Sequence, residues 1–255
     1  PGLRGVRRAR GRLHRLSGLW IQSVQLIRGL GQDGWNFSPK EARAIQEALA
    51  PRVGIQPLPK DFEIVGAADI GYVRSADLLV AVMITFRWPG LEIIESAHVV
   101  SRAAFPYIPG LLSFREIPPL LQAARQLKCL PDILLCDGQG IAHPRRFGLA
   151  SHLGLCLDLP TVGCAKKRLC GEHDPLELHF GNHTPLRLGG EIIGCVLCSR
   201  DNVKPLYVSP GHLSDLESSR AIVLRCVRRY RIPEPLRQAH NLATVLRTKV
   251  AAEAA

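Results

Sequence analysis

The sequence predicts an α/β protein in which helices flank a mixed central sheet. Three consecutive strand-like runs lie between residues 62 and 103, separated by short polar or Pro-Gly turns, and this pattern is typical of an antiparallel meander. An amphipathic segment at 117–129 then predicts a crossover helix, and the continuous apolar run PDILLC predicts a buried strand. Because such crossovers are right-handed and return to the same sheet, we expect the fourth strand to lie parallel beside the first.

The other elements follow in order along the chain. A first helix is predicted in SPKEARAIQEALAPRV, where Ser38 can cap it, Pro39 suits its first position and Glu41 occupies the capping-box position. The crossover helix should begin near Pro118, since a proline inside a helix removes a backbone hydrogen bond. Downstream, GLASHLGLCLDL predicts a helix, PTVGCA a short strand, AKKRLCG a basic loop, EIIGCVLCS and KPLYVSPGH further strands, and LESSRAIVLRCVRRY a last long helix.

The composition suits one domain with a substantial core. The chain has 255 residues, of which 46% are apolar. We expect a single domain at 37–248, preceded by a basic arm at 1–36 and followed by a flexible tail at 249–255. The first 34 residues hold seven arginines and one acidic residue, a composition open to three interpretations: an unstructured arm, a nucleic-acid-binding arm or an organelle transit signal.

Charge and cysteine usage narrow the class of partner and the compartment. The net charge of +11 points to a polyanionic partner such as nucleic acid or an anionic membrane surface. No apolar run approaches the roughly 20 residues that a membrane helix needs, so we expect no membrane association and a cytoplasmic location. The eight cysteines stand mostly alone in apolar runs, which is typical of reduced thiols.

One spacing resembles a zinc site. His179 and His183 precede Cys195 and Cys198 at intervals that zinc ligands use. However, EIIGCVLCS reads as a strand, in which positions three apart point to opposite faces, and no turn former separates the cysteines. We therefore do not expect these four residues to bind zinc.

Three acidic residues fall where the predicted topology can bring them together. Asp69 lies in the first strand run, Glu116 precedes the crossover helix, and Asp137 ends the fourth strand. Converging carboxylates repel one another unless a divalent cation lies between them, and an all-oxygen set suits Mg²⁺, with Mn²⁺ as a substitute. Such a site would hydrolyse phosphodiesters. The alternatives are a capping box between Ser113 and Glu116, a turn residue at Asp137 and a strand-end acid at Asp69.

Six segments together resemble the endonuclease V family of bacterial type, which are repair nucleases for deaminated bases. They are GAADIGY, PYIPGLLSFRE, PDILLCDGQGIAHPRRFGLASHLGL, DLPTVGCAKKRLCG, PLYVSPGH and RCVRRYRIPEP, spanning roughly 63–237. The first 35 residues have no counterpart in the resemblance.

The resemblance implies a ribonuclease H-like fold and a catalytic site. By position, Asp69, Glu116 and Asp137 would bind the catalytic metal. Lys166 would lie at the reacting phosphate, and His212 near the metal or the nucleophilic water. The implied reaction is hydrolysis of the second phosphodiester bond 3′ to inosine, whose base is hypoxanthine, leaving 3′-OH and 5′-phosphate ends. The implied partner is DNA containing deaminated bases, with single-stranded RNA as a further substrate, and we expect a monomer.

The same resemblance assigns the substrate contacts, and each has a plainer alternative. The stiff loop with Tyr107 and Ile108 would wedge into the strand where a base leaves the stack, or else be an ordinary proline-rich turn. Glycines would let the backbone approach an extruded base, or else only form tight turns. Basic residues would contact the substrate backbone, or else form solvated surface turns. The full set is Pro106, Tyr107, Ile108, Pro109, Gly110, Leu112, Gly138, Gly140, His143, Arg145 and Lys167.

Two rival functions share parts of this pattern. Another ribonuclease H-like nuclease, such as a junction resolvase, would need the carboxylates but no loop that probes for lesions. A non-catalytic nucleic-acid-binding module would not need all three acids and the lysine.

Overall fold

The computed structural model describes residues 35–254, which form five α-helices and one eight-stranded sheet. The predicted arm therefore lies outside the described residues up to position 34. The helices are α1 (Pro39–Leu49), α2 (Leu112–Gln126), α3 (Leu149–Leu157), α4 (Leu216–Cys226) and α5 (Glu234–Glu253). The strands are β1 (Ile64–Val73), β2 (Leu78–Arg87), β3 (Glu92–Arg102), β4 (Ile133–Cys136), β5 (Thr161–Ala165), β6 (His183–Leu188), β7 (Glu191–Leu197) and β8 (Leu206–Pro210).

The strand order is β3-β2-β1-β4-β5-β8-β7-β6, which confirms the predicted mixed sheet. The meander β1 to β3 is antiparallel, and β4 lies parallel to β1 after the α2 crossover. β5 continues the parallel part, whereas β8 pairs antiparallel with β5. Because β8 runs antiparallel to β5, the segment after β8 lies near the beginning of β5.

The first helix begins as the sequence predicts. The Ser38 hydroxyl accepts from the backbone N–H of Glu41, and the Glu41 carboxylate accepts from that of Ser38, which completes a capping box. Trp35, which we placed in the arm, packs edge-on against Phe37 and Phe114. The folded part of the chain therefore begins before residue 37.

Helix α2 corrects the predicted start of the crossover helix. It begins at Leu112 and contains Pro118 and Pro119 in its interior. Its buried side, which includes Phe114 and Ile117, packs into the core and holds the helix together across the prolines. The capping-box alternative for Glu116 is also wrong, because Ser113 lies inside the helix and its hydroxyl bonds to His152 Nδ1 at 3.1 Å.

The C-terminal part contains a helix that the sequence analysis missed. Helix α4 ends at Cys226, and a separate helix, α5, follows it. Because α5 continues to Glu253, the first residues of the stretch that we expected to be a flexible tail are helical. Within residues 35–254, no helix has the length and apolar character needed to cross a membrane.

Two apolar clusters cover the two faces of the sheet. One contains side chains of α4 and α5 against β1, and the other contains side chains of α2 and α3. Residues of β1 alternate between them: Val65 and Ala67 face α5, whereas Ala68 faces α2. Asp69 shares the parity of Val65 and Ala67, so it points to the side on which α5 lies.

Candidate active site

A cleft opens where strand β4 ends earlier than its neighbour β1. The last β1–β4 pair joins Ala68 to Cys136, and β1 continues for five more residues to Val73. The backbone N–H of Asp137 still donates to the carbonyl of Ala68 at 3.3 Å, and the chain then leaves the sheet. Asp69 therefore has no β4 residue paired beside it, and this leaves space for the cleft.

The cleft brings together the three acidic residues that the sequence selected. Its volume is about 260 Å³, and charged or titratable side chains line it together with apolar ones. β1 supplies Asp69, α2 supplies Glu116 and the end of β4 supplies Asp137. The lining residues are Ala68, Asp69, Ile70, Glu116, Leu120, Asp137, Leu149, Lys166 and His240.

The carboxylates destabilise one another's charged forms. Burial is the main reason why the pKa of Glu116 is raised to about 8, and the charges of Asp69 and Asp137 raise it further. The pKa of Asp69 is also raised, first by burial and then by Asp137, against the opposing effects of Lys166 and His240. Burial and mutual repulsion therefore both disfavour the charged forms of Glu116 and Asp69.

His240 completes the cleft from helix α5. Its Nδ1 lies 3.0 Å from Oδ2 of Asp69. Helix α5 comes this close because Gly71 of β1 has no side chain: a Cβ there would meet the carbonyl oxygen of Ala243 at 3.0 Å. Ligand atoms of Asp69, Asp137 and His240 all lie within 4.8 Å of one another.

This donor set fits a divalent cation. Two carboxylates and an imidazole within reach of one ion are suitable ligands, and Glu116 lines the same cleft. A divalent cation there would stabilise the charged forms of Glu116 and Asp69, which burial and then mutual repulsion disfavour.

Lys166 also lines the cleft. It follows the last residue of β5, and its Nζ forms an ion pair with Oδ2 of Asp137. About a third of its side chain is exposed, so the ammonium group can still reach a substrate phosphate.

His212 does not lie in the cleft, and its expected place near the metal is wrong. Because β8 is antiparallel to β5, Pro210 pairs with Val162 at the beginning of β5, while the cleft lies at its other end. His212 donates its backbone N–H to Thr161 Oγ1 at 2.8 Å, and its Nδ1 accepts from the backbone N–H of Gly54 at 3.1 Å. It is a buried structural residue.

The proline-rich loop separates its two large apolar side chains. Tyr107 is 70% exposed, whereas Ile108 is partly buried and packs against the apolar cluster that includes Phe105 and Leu111. We expected both side chains to wedge into a strand, but Ile108 anchors the loop and Tyr107 is the one that projects. Pro106 and Pro109 are exposed, and Leu112 is the first residue of α2.

The three glycines have different surroundings. A Cβ on Gly140 would lie 1.8 Å from the carbonyl oxygen of Pro210, so this glycine permits close packing onto β8 and not the approach of a base. A Cβ on Gly138 would meet Leu149, which lines the cleft, at 3.1 Å. Gly110 has a φ of +77°, which a residue with a side chain rarely adopts.

Of the basic residues expected to contact the substrate, two form hydrogen bonds within the protein and one is exposed. His143 Nε2 lies 2.9 Å from the carbonyl oxygen of Gly110, and Arg145 Nη2 donates to the same atom at 2.8 Å. Both side chains therefore bond inside the protein. Lys167 is exposed, and its carbonyl accepts from Gln139 Nε2 at 2.9 Å.

Among the described residues, His179, His183, Cys195 and Cys198 do not form a cluster that could hold a metal. Within residues 35–254, the side chains that approach closely enough to share a metal are Asp69, Asp137 and His240. All eight cysteines are free thiols.

Known proteins share this sequence and architecture. A family model described as Endonuclease V matches residues 47–241. The chain belongs to the endonuclease V family.

Endonuclease V relatives match most of the chain. The protein of that name from Gloeobacter violaceus is 46% identical over 221 residues, which cover 86% of this chain and 90% of the relative. The crystal structure of Endonuclease V from Streptomyces avermitilis is 39% identical with a TM-score of 0.81, covering 85% of this chain and 96% of that one. Endonuclease V from Ciona intestinalis, solved with a 24-mer DNA containing an inosine followed by a ribo-adenosine, is 27% identical with a TM-score of 0.73, covering 83% and 98%.

These matches confirm the predicted single-domain, ribonuclease H-like α/β fold and the resemblance drawn from the motifs. As an endonuclease V, the protein is a nuclease that hydrolyses phosphodiester bonds. The cleft with its acidic side chains is the part of the molecule suited to that reaction with a divalent metal.

His240 is the cleft residue that sequence reasoning missed, because the helix that carries it was not predicted. A signal was present: Pro235 lies in the first turn, and apolar residues recur at 236, 239, 243, 246 and 250. His240 becomes a candidate metal ligand only when α5 is placed against β1, because that packing brings it to Asp69.

Proposed function

We propose that the protein is a DNA repair endonuclease that recognises deaminated bases, chiefly inosine, and hydrolyses the second phosphodiester bond on the 3′ side. The products would carry 3′-OH and 5′-phosphate ends. The observation that carries the proposal is the convergence of Asp69, Asp137, Glu116 and His240 with Lys166 in one cleft of an endonuclease V. The inosine-containing DNA bound to the Ciona relative supports the choice of lesion.

The cofactor in this proposal is Mg²⁺, with Mn²⁺ as a substitute. Asp69, Asp137 and His240 would hold it, and Glu116 would complete the set from α2. When bound, such a cation activates water, neutralises phosphate charge and stabilises the leaving oxygen. Carboxylates with substrate phosphate oxygens are the usual environment of Mg²⁺ in nucleases and related enzymes.

The cleft side chains would orient the phosphate and control charge. Lys166 would turn its ammonium group from Asp137 towards a phosphate oxygen and stabilise the negative charge that develops there. Glu116, whose pKa is raised to about 8, would carry a proton at neutral pH while the cleft is empty of cations and lose it when a cation binds.

Tyr107 would detect the lesion by taking the place of the base that leaves the stack. Its ring projects from a loop that is closed by proline on both sides of Tyr107 and Ile108. The phenol ring would stack on the neighbouring bases while Ile108 anchors the loop to the core.

We extend the proposal to inosine in single-stranded RNA, to a monomeric enzyme and to a cytoplasmic location. Discrimination between DNA and RNA would depend on contacts to the 2′-OH next to the scissile phosphate.

The test compares a labelled strand containing one inosine with the same strand containing guanosine, each with protein and Mg²⁺. The proposal predicts incision of the inosine strand only. Equal incision of both strands would indicate a nuclease without lesion specificity, such as a junction resolvase. No incision of either strand with Mg²⁺ or Mn²⁺ would indicate a non-catalytic binding module.

A further inference from the structure

Three side-chain donors converge on one backbone atom at the end of the loop that carries Tyr107. The carbonyl oxygen of Gly110 accepts from Gln46 Nε2 at 3.1 Å, His143 Nε2 at 2.9 Å and Arg145 Nη2 at 2.8 Å. A carbonyl oxygen has two lone pairs, so a third donor is more than the usual complement. We name Gln46, His143 and Arg145 the Gly110 brace.

The donor role of His143 is fixed by its other ring nitrogen. His143 Nδ1 accepts from the backbone N–H of Arg145 at 3.1 Å, so the ring proton lies on Nε2, facing Gly110. The pKa of His143 is lowered to about 4, mainly by burial and also by the charges of Arg145 and Arg146, while the hydrogen bond to Gly110 opposes this shift. The ring is therefore neutral at physiological pH, and its single N–H points at Gly110.

Gln46 joins the brace to a distant helix. It lies on α1 and is 1% exposed. Its Oε1 accepts from Arg145 Nε at 2.6 Å, and its Nε2 also donates to the carbonyl of Phe147 at 3.0 Å. All the polar atoms of this buried amide have partners, and a satisfied network of this kind holds its members in one arrangement.

The brace determines the direction of the loop. Gly110 turns the chain with its φ of +77°, and the backbone N–H of Leu111 donates to the carbonyl of Ile108 at 2.9 Å. Fixing the Gly110 carbonyl therefore fixes a turn that begins one residue after Tyr107. A Cβ on Gly110 would meet Arg145 Nη2 at 3.1 Å, so the brace also leaves little room for another residue at this position.

We infer that Gln46 is a positioning residue for lesion recognition, which acts with His143 and Arg145 on the Gly110 carbonyl to hold Tyr107 ready for insertion. The inference rests on the proposed function. It also reassigns His143 and Arg145 from contacts with the substrate backbone to contacts inside the protein. A loop held before binding does not have to be ordered by the substrate, so the brace should contribute to affinity more than to the rate of hydrolysis.

Two variants of Gln46 test the brace. Gln46→Met keeps the size of the side chain and removes all its hydrogen bonds, whereas Gln46→Glu keeps the acceptor for Arg145 and removes both donors. For each, we expect KM on the inosine strand to rise about tenfold with kcat within about twofold. We also expect faster hydrogen exchange at the Leu111 amide. Ile222→Ala is the control, because Ile222 of α4 is buried in the other apolar cluster, with side chains of α5 and β1, and takes no part in the brace or in anchoring the loop. It should lower thermal stability and leave KM unchanged.

A third variant distinguishes bracing from direct contact with the substrate. Arg145→Lys keeps the positive charge but cannot reach Gly110 and Gln46 with one planar group. A brace predicts raised KM and faster Leu111 exchange for Arg145→Lys, whereas direct phosphate contact predicts near-normal KM. This variant also serves if the Gln46 proteins do not fold. If Gln46→Met has the wild-type KM and the wild-type rate of exchange at the Leu111 amide, the inference is wrong. If Gln46→Met does not fold, the same result in Arg145→Lys overturns it. Failure of the wild-type enzyme to prefer inosine would overturn the proposed function instead and leave the exchange result valid.

Discussion

His240 Nδ1 lies 3.0 Å from Asp69 Oδ2, although the two residues are 171 positions apart in the chain. One is on the last helix and the other on the first strand, and Gly71 allows the helix to approach. The contact therefore brings the beginning and the end of the folded domain together at one side of the cleft.

Replacing His240 should weaken metal binding and, through it, hydrolysis. We expect His240→Ala to raise the Mg²⁺ concentration needed for half-maximal incision at least about tenfold, since one ligand is lost. Saturating Mg²⁺ should restore part of the rate. His98→Ala removes an exposed histidine on β3 and serves as the control, with an unchanged Mg²⁺ requirement. An unchanged requirement in His240→Ala would remove His240 from the metal site.

Asp137→Ala should separate binding from hydrolysis. Without this carboxylate we expect incision to fall by a factor of about 10³. Binding of the inosine strand should stay within about threefold of wild type, because phosphate contacts dominate affinity and Lys166 loses its anionic partner. A single-turnover assay and a binding titration measure the two quantities. The exposed Asp174→Asn is the control. Retained turnover in Asp137→Ala would exclude Asp137 from the site.

Tyr107→Ala should weaken recognition without affecting the fold. Stacking of one base on an aromatic ring contributes about 1–3 kcal/mol, so we expect KM for the inosine strand to rise roughly tenfold to a hundredfold. Because the side chain is 70% exposed, the melting temperature should change little. Tyr107→Phe keeps the ring and should behave like wild type. A fully active Tyr107→Ala enzyme would reduce the loop to an ordinary turn.

His152 should make the protein sensitive to acid. It is buried between Trp35, Phe114 and Phe147, and burial lowers its pKa from 6.5 to about 3. Below pH 6.5, His152 therefore binds a proton in the unfolded chain but not in the folded protein. The free energy of unfolding falls as the pH falls from 6.5 towards 3. From pH 7 to pH 5 this single group should cost about 2 kcal/mol.

Urea unfolding of His152→Leu at the two pH values measures that contribution. Loss of packing and of the bond to Ser113 lowers stability equally at both, so the difference between pH 7 and pH 5 isolates the titration. We expect the drop to be about 2 kcal/mol smaller than in wild type. The exposed His98→Gln should leave the drop unchanged. An identical drop in His152→Leu and wild type would contradict this interpretation.

The sequence predicted the part of the site that lies on locally ordered elements. Asp69 and Asp137 end up together because a meander followed by a crossover places β4 beside β1, and this topology could be read from the apolar runs. Glu116 lines the same cleft, although its helix starts earlier than predicted. The prolines within α2 predict a helix boundary, but tertiary packing of Phe114 and Ile117 overrides that local preference.

The errors arose where a long-range reversal decides the position of a side chain. His212 depends on the direction of β8, which no local pattern encodes, and His240 depends on how α5 packs across β1. The brace residues were misassigned for a related reason. A basic residue in a loop looks the same in sequence whether it faces a phosphate or, as Arg145 does, a carbonyl oxygen inside the protein.

The most direct test of the proposed function is the size of the product from a 5′-labelled strand with one inosine, incubated with protein and Mg²⁺ in a single turnover. The proposed function predicts one labelled product, which ends in 3′-OH one nucleotide beyond the inosine, and no product when Mg²⁺ is chelated. A ladder of products, or a product at the same position from a strand without inosine, would contradict it.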